Sequence, residues 1–401
     1  MLRLRLSRKR CLSLQHIPGD DDTTPRDGLG GSRYTRNTRR KSSGFVLVLT
    51  SLALCVLLGV TGLAVDIGRM YITKQELQTF TDATSLAGTL ELDGTPEGIY
   101  RAKSLLTSDG NRWNFHTTQV SDDTMAFAKD KAGPWETTVI DPRGYRYASV
   151  SASAEMQTYF LPNIVSSTKS SVPLAFLMLT SPGVNIHAIS GAGQEPKDTF
   201  REGLFPFSPY AHSTTASPHF GLSVGEKYTL RWASAPKLHQ NTCSGDDDAA
   251  TMAIATAGGG DERGFIESTS SDLIRATIEQ DYQTVVRSIG DQVTMTGGTK
   301  QTQLTSLINR INQDADRSSS TFAQYSTNAL ANGRRIVAVP INTGAPDYRI
   351  VQIGAFMLLP VTEYSNGGNK AFCAEYVGAW VQGSNRKGAA DSGAYVAKLI
   401  R

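Results

Sequence analysis

The chain has 401 residues, of which 39% are hydrophobic and 19% charged, and its formal net charge is only +3 at pH 7. This length is sufficient for one or two buried cores. Because the basic excess lies mainly in the first 43 residues, the remainder is close to neutral and gives no reason to expect a nucleic-acid partner.

Residues 1–43 form a basic segment that contains few large apolar side chains after Leu14. It carries eleven Lys and Arg residues but only four Asp residues, and the cluster RNTRRK (36–41) lies directly before an apolar run. Such a composition is typical of disordered chain. Basic segments beside a membrane span stay in the cytoplasm, so we expect this tail there.

The apolar run extends from Gly44 to Val65 and contains no charged residue. Its 22 residues are enough for a single helix to cross a hydrocarbon core of about 30 Å. A cleaved signal peptide would have a shorter apolar core and a small-x-small cleavage site, which LAVDIGRM (63–70) does not offer. We therefore predict an uncleaved transmembrane helix over 44–65, with residues 66–401 on the outer side.

The helical pattern continues beyond the span. Residues 66–92 contain good helix formers and no proline, which predicts one helix from about Ser43 to about Leu92. Its outer half is expected to be amphipathic, with one stripe at helical spacing formed by Ile67, Met70, Tyr71, Lys74, Leu77, Thr81, Thr84 and Leu86. Within the span, Ser51, Cys55 and Gly59 recur every four residues, a spacing that lets helices approach closely and would permit homo-oligomers through the span. Asp66 is expected at the exit from the bilayer or against a neighbouring helix.

After the long helix, a short one is predicted over 97–110. The pattern then becomes β-rich, and the turn-rich segment 203–217 is interpreted as a linker between subdomains. Helices are predicted over 272–283 and 299–317. The strand-like runs are WETTVI (135–140), 145–160, SVPLAFLML (171–179), 184–193, 228–234, 334–341, 348–361, 370–383 and 394–400.

Successive strands without long helices between them favour antiparallel pairing. The predicted fold class is therefore α+β: an N-terminal transmembrane helix that continues as a long helix, followed by a β-rich, largely antiparallel extracytoplasmic region. We predict a first module over 66–200 and a second α+β domain over 201–401.

Two of the four cysteines, Cys243 and Cys373, fall in the outer region, where oxidation can occur. They form a candidate structural disulfide, with two buried thiols as the alternative.

Specific catalytic or ligand-binding motifs are absent from the sequence. There is no G-x-S-x-G, no phosphate-binding G-x-x-x-x-G-K-[ST] and no H-E-x-x-H. The histidines at 212, 219 and 239 and the acidic residues at 246–248, 261 and 262 lack the spacing of known metal sites. We therefore predict no catalytic residues, no cofactor and no metal.

Residues 44–92 resemble the N-terminal module of the TadG-like proteins of Tad/Flp (tight adherence) pilus systems. The resemblance lies in a Gly that opens the span, the sequence GLAVDIGR (62–69) at its exit, Leu-Gln at 77–78 and Asp-Ala-x-x-Leu-Ala-Gly at 82–88. The strand-like segments up to about residue 195 are also similar. Two features differ: the Asp-x-Ser-x-Ser metal motif of many TadG-type proteins does not occur, and cleavage after Gly44 would place Leu49 where related minor pilins keep a Glu.

The resemblance implies a single-pass protein of the bacterial inner membrane that helps to assemble or anchor an adhesive fibre, with pilus-assembly or envelope proteins as partners and without catalysis. One alternative is an anchored adhesin or binding module, for which exposed tryptophans at 113, 135, 232 and 380 would be the sign. The other is an extracytoplasmic hydrolase, which would need a deep polar pocket with a paired His and carboxylate.

Overall fold

The computed structural model describes eight stretches of the chain: 43–107, 112–113, 118–159, 183–233, 241–257, 270–296, 301–365 and 370–400. The described residues belong to two units, one within Met1–Leu57 and the other within Leu58–Arg401. The predicted disordered tail, apart from Ser43, and the apolar run 171–179 lie outside the described residues.

Helix α1 covers Ser43–Glu91 and confirms the long helix predicted from the sequence. In the first unit, residues 44–57 are all exposed, although most of them are apolar. In the second unit, α1 remains exposed on one side, but a second side becomes buried at Asp66, Thr73 and Leu77 and stays buried to Thr89. These positions recur at helical spacing, so one face of α1 contacts the folded region.

Short helices complete the helical part of the structure. Helix α2 (Pro96–Ser104) begins with a proline, and its cap is Thr95, whose hydroxyl accepts the Gly98 N–H at 3.1 Å. It ends earlier than predicted and continues as one 3-10 turn over Leu105–Thr107. The others are α3 (Ala249–Ala257), α4 (Ser271–Gln280), α5 (Gln301–Asn312) and α6 (Phe322–Thr327).

The strands are, in chain order, β1 (Arg112–Trp113), β2 (Thr118–Gln119), β3 (Ser121–Ala128), β4 (Tyr147–Gln157), β5 (Gly183–Pro196), β6 (Thr199–Phe200), β7 (Lys227–Arg231), β8 (Arg287–Ser288), β9 (Ile336–Asn342), β10 (Ile350–Leu358), β11 (Phe372–Val381) and β12 (Gly393–Ile400). Eight of them form one sheet with the order β3-β4-β5-β12-β11-β10-β9, and β7 pairs with β11. All pairs in this sheet are antiparallel except β11 with β12. The prediction of a largely antiparallel β-rich region is confirmed. The sheet includes strands that precede residue 200 and strands that follow it.

The largest core lies around β7 and β9–β11 and includes the apolar faces of α4 and α5. Leu304, Leu307 and Ile311 of α5 are buried, as the spacing predicts. The segment 203–217, interpreted from its turns as a linker, contributes Phe205 and Phe207 to this core and pairs with β9 through an isolated bridge at Leu204. It therefore packs along the sheet, because its aromatic residues need burial despite its prolines.

Two local predictions are wrong. WETTVI (135–140) makes a single bridge, between Glu136 and Phe127, and is not a strand. Strand β3 was not predicted, because two aspartates at 122 and 123 make its sequence resemble a loop. Its apolar residues, Met125 and Phe127, are two positions apart and both buried, as a strand with one buried face requires.

Candidate functional site

The first charged residues after the apolar run connect α1 to the end of β4. Asp66 is 0% exposed, and its Oδ1 accepts the backbone N–H of Tyr159 at 2.9 Å. Arg69 donates to the carbonyl of Gln157 at 3.0 Å, and its guanidinium carbon lies 4.2 Å from the centre of the Tyr159 ring. A buried carboxylate that accepts a backbone N–H is a strong, directional contact. The chain after β4 is thereby held to the helix where the apolar run ends.

The next turns of α1 contact both β4 and β5. The Thr73 hydroxyl lies 3.6 Å from Sδ of Met156, and the Lys74 ammonium donates to the carbonyl of His187. Leu77 is fully buried in a cluster with side chains of β4 and β5 that are mostly alanine, valine or isoleucine. This helix–sheet interface therefore combines a small apolar core with side chains that bond to the strand backbone.

The C-terminal end of α1 is held by Gln194 of β5. This side chain is completely buried, and its amide group donates to the carbonyls of Thr89 and Leu92 at 2.8 and 2.7 Å. Its carbonyl oxygen accepts the N–H of Ala389 at 2.9 Å. One side chain thus hydrogen-bonds two backbone carbonyls at the end of α1 and joins them to the connection between β11 and β12. No sequence signal identifies it, because its partners are about 100 and 195 residues away.

Acidic residues at the same helix end form ion pairs. Glu91 pairs with Arg101 at 2.7 Å and with Arg386 at 3.1 Å, and Asp93 pairs with Arg101 at 2.6 Å. Arg101 belongs to α2 and Arg386 to the β11–β12 connection. The ion pairs and Gln194 therefore hold the C-terminal end of α1 to α2 and to the β11–β12 connection.

The three small residues predicted to pack against another helix, Ser51, Cys55 and Gly59, are exposed. The Ser51 hydroxyl donates to the carbonyl of Val48 at 2.9 Å, so its hydrogen bond stays within the helix. Cys55 is an exposed free thiol, and a Cβ placed on Gly59 would have no atom within 4 Å among the residues described. Their use as a contact between helices stays a prediction.

Cys243 and Cys373 are joined by a disulfide with an S–S distance of 2.04 Å. The bond connects the segment after β7 to the start of β11. The Cys243 N–H donates to the Thr229 hydroxyl of β7 at 3.4 Å, so this corner of the sheet is fixed by a covalent bond and a hydrogen bond.

Three of the residues considered above as metal ligands, His212, Asp246 and Asp248, contact one another. Nε2 of His212 is 2.9 Å from Oδ1 of Asp246, and Nδ1 is 3.5 Å from Oδ2 of Asp248. Burial by itself would raise the pKa of the Asp248 carboxyl, but hydrogen bonds from Thr251 outweigh this effect and lower the pKa. Within the part of the chain that the structure describes, no group of three or more His, Cys, Asp or Glu side chains is arranged to hold a metal ion. The residues at 239, 261 and 262 lie outside it.

A cavity of about 360 Å³ in the C-terminal half lies against Asp281, Arg310 and Arg334. Desolvation raises the pKa of Asp281, but its ion pairs with the two arginines outweigh this and lower it. The pair of His212 and Asp246 is not among the residues that line this cavity. Among the described residues, the cavity and the paired His and carboxylate that a hydrolase would need are therefore separate.

The tryptophans do not form an exposed row in the described structure. Trp232 and Trp380 are buried, and the Trp380 indole donates to the carbonyl of Ser384 at 2.8 Å. Trp135 is partly exposed. The side chain of Trp113 lies outside what the structure describes.

Residues 44–91 match the family model of Flp pilus-assembly TadE/G-like proteins. No curated protein and no solved structure gives a significant match. The matched segment coincides with α1, since it begins one residue after the helix begins and ends at its last residue. In the described part of the chain, this is also the one helix that is long and apolar enough to cross a membrane. The predicted TadE/G-type module is therefore present, and it contains the helix side of the contacts at Asp66, Arg69 and Thr73.

Proposed function

We propose that the protein is a non-enzymatic, single-pass component of a Flp/Tad-type pilus-assembly apparatus, which holds an extracytoplasmic domain at the bacterial inner membrane. The observation that carries this proposal is the coincidence of the family match at 44–91 with a helix that is apolar and exposed at its start and packed on a sheet at its end. The matched segment would thus serve as both anchor and support.

The apolar start of α1 supports the anchor. Large side chains such as Phe45, Leu47 and Leu57 are more than half exposed, which is costly in water and favourable in lipid. Charge supports the orientation, because eleven Lys and Arg residues precede the run and the basic cluster lies directly beside it. The N-terminus would then be cytoplasmic and the sheet periplasmic.

The packed part of α1 supports a mechanical role. The side chains of Asp66 and Leu77 and the backbone carbonyl of Thr89 connect the helix to β4, the residues just after it and β5 over more than six turns, so a force on the sheet would be transmitted to the anchor through many contacts. Catalysis is not needed for this role. Partners would be other pilus-assembly proteins, which would bind the surface of the extracytoplasmic domain.

The anchor is tested with full-length protein in cells. Leu54→Arg combined with Leu57→Arg places two charges in the apolar run, at a cost of about 2.5–3.5 kcal/mol each at the bilayer centre. Leu330→Arg is the matched control, since Leu330 is an exposed leucine elsewhere in the fold. We expect the wild-type and control proteins to stay in alkaline-washed membranes and the double variant to be lost from them. Equal retention of all three would refute the anchor.

The topology and the assembly role need two further measurements on the same cells. Protease should cleave the extracytoplasmic region only after the outer membrane is permeabilised. Mass spectrometry of gently solubilised membranes should identify pilus-assembly proteins with the wild type and the Leu330→Arg control. A cytoplasmic bulk domain would contradict the topology, and a membrane-bound protein without such partners would contradict the assembly role. A cleaved, soluble product would favour the adhesin or the hydrolase.

A further inference from the structure

The segment of α1 over residues 66–72 has two unlike faces. One face, with Asp66 and Arg69, is bonded to the chain at the end of β4. The other face presents Ile67, Tyr71 and Ile72, which are 53%, 66% and 45% exposed. This exposed face is apolar although it lies beyond the first charged residue of the helix.

The exposed apolar face continues that of the preceding turns. Leu63 and Val65 are also more than two-fifths exposed. Beyond Val65, the first polar residues that are exposed rather than buried or half-buried are Lys74 and Gln75. The end of the apolar surface is therefore about two turns beyond the end of the uncharged run in the sequence, because the charges at 66 and 69 lie on the bonded side.

The length of the helix indicates what covers this surface. Residues 44–65 already span about 33 Å at 1.5 Å per residue, enough for the hydrocarbon core of about 30 Å. Residues 66–72 add about 10 Å, so residues 44–72 together span about 43 Å, which matches a bilayer with both of its headgroup regions, about 40–45 Å thick. Tyrosine is enriched at this depth.

The geometry points to a lipid contact: we propose that an interfacial surface formed by Ile67, Tyr71, Ile72 and Tyr159 lies in the headgroup region of the bilayer. The proposal rests on the membrane anchor proposed above. Tyr159 is 67% exposed and lies under the Arg69 guanidinium, so its ring adjoins the helix at the same level. The folded domain then lies directly on the membrane, and no free length of helix separates the two.

The bonded face explains how charges are accommodated at this depth. A carboxylate close to hydrocarbon is costly unless it is bonded. Asp66 faces the protein and accepts the Tyr159 N–H, while Arg69 bonds to the Gln157 carbonyl and lies over an aromatic ring. The Asp66 carboxylate is therefore turned away from the lipid, and the half-buried Arg69 guanidinium is bonded beside Tyr159, so the side with Ile67, Tyr71 and Ile72 stays apolar.

The proposal is tested by spin-label accessibility in the full-length protein in phospholipid vesicles. The background is Cys11→Ser with Cys55→Ala, which leaves the Cys243–Cys373 disulfide intact when no reductant is used. Single cysteines replace Leu58, Ile67, Tyr71 and Thr79, all exposed residues of α1. Tyr100→Cys on α2 is the matched control for Tyr71→Cys, because Tyr100 is equally accessible in the fold but is not on this surface.

We expect labels at 58, 67 and 71 to be accessible to oxygen and to lose accessibility to a water-soluble nickel complex, compared with labels at 79 and 100. Nickel accessibility at 67 and 71 with protection at 58 would overturn the lipid contact and leave the anchor intact. Nickel accessibility at 58 as well would contradict the anchor itself. Dipolar broadening between labels at 67 or 71 that persists on dilution with lipid would assign the surface to a second copy of the chain and would equally overturn the proposal.

Discussion

Replacement of Gln194 by alanine is expected to destabilise the junction between α1 and the sheet. In the wild-type structure, this buried amide donates to the carbonyls of Thr89 and Leu92 and accepts the N–H of Ala389. Without it, the Leu92 carbonyl and the Ala389 N–H lose these bonds inside the protein. The Thr89 carbonyl keeps the longer bond from the Leu92 N–H, at 3.4 Å.

The size of the effect follows from the number of groups that lose a partner. Each buried polar group left unsatisfied costs about 1–3 kcal/mol, so two such groups give a loss of about 2–6 kcal/mol. The free energy of unfolding can be measured in detergent by denaturant titration, with the buried Trp232 and Trp380 as fluorescent reporters. The midpoint should fall while the slope of the transition stays constant.

Gln75→Ala is the matched control, because Gln75 is an exposed glutamine of α1, the helix whose end Gln194 holds. Its free energy of unfolding should stay within about 0.5 kcal/mol of the wild-type value. If Gln194→Ala proves as stable as Gln75→Ala, then Gln194 does not hold the end of α1 in the way the hydrogen bonds indicate, and the reasoning is refuted.

Three further predictions use the same unfolding measurement. Leu77→Ala should lower the free energy of unfolding by about 2–5 kcal/mol because Leu77 is fully buried, whereas Ile67→Ala, at an exposed site of α1, should lower it by less than about 0.5 kcal/mol. Equal losses would contradict the assignment of Leu77 to the buried face of α1 and Ile67 to the exposed face. Loss of the Cys243–Cys373 bond through paired serine substitutions should cost about 5 kcal/mol in the chain-entropy model, since the loop is 130 residues long, and an unchanged midpoint would argue against it. Burial raises the pKa of Glu375, so the folded state holds this proton more tightly than the unfolded state and loses stability as pH rises above the ordinary glutamate pKa. Glu375→Gln should therefore be more stable than the wild-type protein at pH 7 and lose this advantage near pH 4. A difference in stability that does not change with pH would contradict the raised pKa.

Much of the element order could be predicted from sequence because local patterns carry it. The absence of proline over 44–92 predicts α1, and alternating residues predict β4 and β5. WETTVI has strand-forming residues, but prolines at 134 and 142 bound it, and Ile140 is almost fully exposed. Its composition favours a strand, yet the sheet provides only one bridge, at Glu136, so propensity alone gives the wrong element.

The contacts at Asp66 and Gln194 depend on pairs of residues that lie far apart in the chain. The sequence identifies Asp66 as the first charge after the apolar run, but not that its partner is the N–H of Tyr159, 93 residues away. A backbone partner leaves no signature in the sequence, because every residue except proline offers the same N–H. Such sites become visible only when the fold brings the two segments together.

The buried face of α1 shows why hydropathy gives a misleading prediction at this interface. Of the predicted stripe, the structure buries Leu77 and Thr81 but exposes Ile67 and Tyr71, and the buried face continues through Ser85 and Thr89. The hydroxyls of Thr81, Ser85 and Thr89 donate to carbonyls of the preceding turn of the helix, so they can be buried without an unsatisfied donor.

Close packing requires these small residues. The sheet presents Ala152, Ala154 and Ala188 to this part of the helix, and a Cβ on Gly88 would lie only 3.0 Å from Cε of Met125. Where the helix approaches the sheet this closely, around Gly88, the contact face has no space for a large side chain. Leu77 is buried on the contact face three turns earlier, whereas Ile67, Tyr71 and Ile72 lie on the opposite face, so the large apolar residues of α1 beyond Asp66 do not all face the protein core.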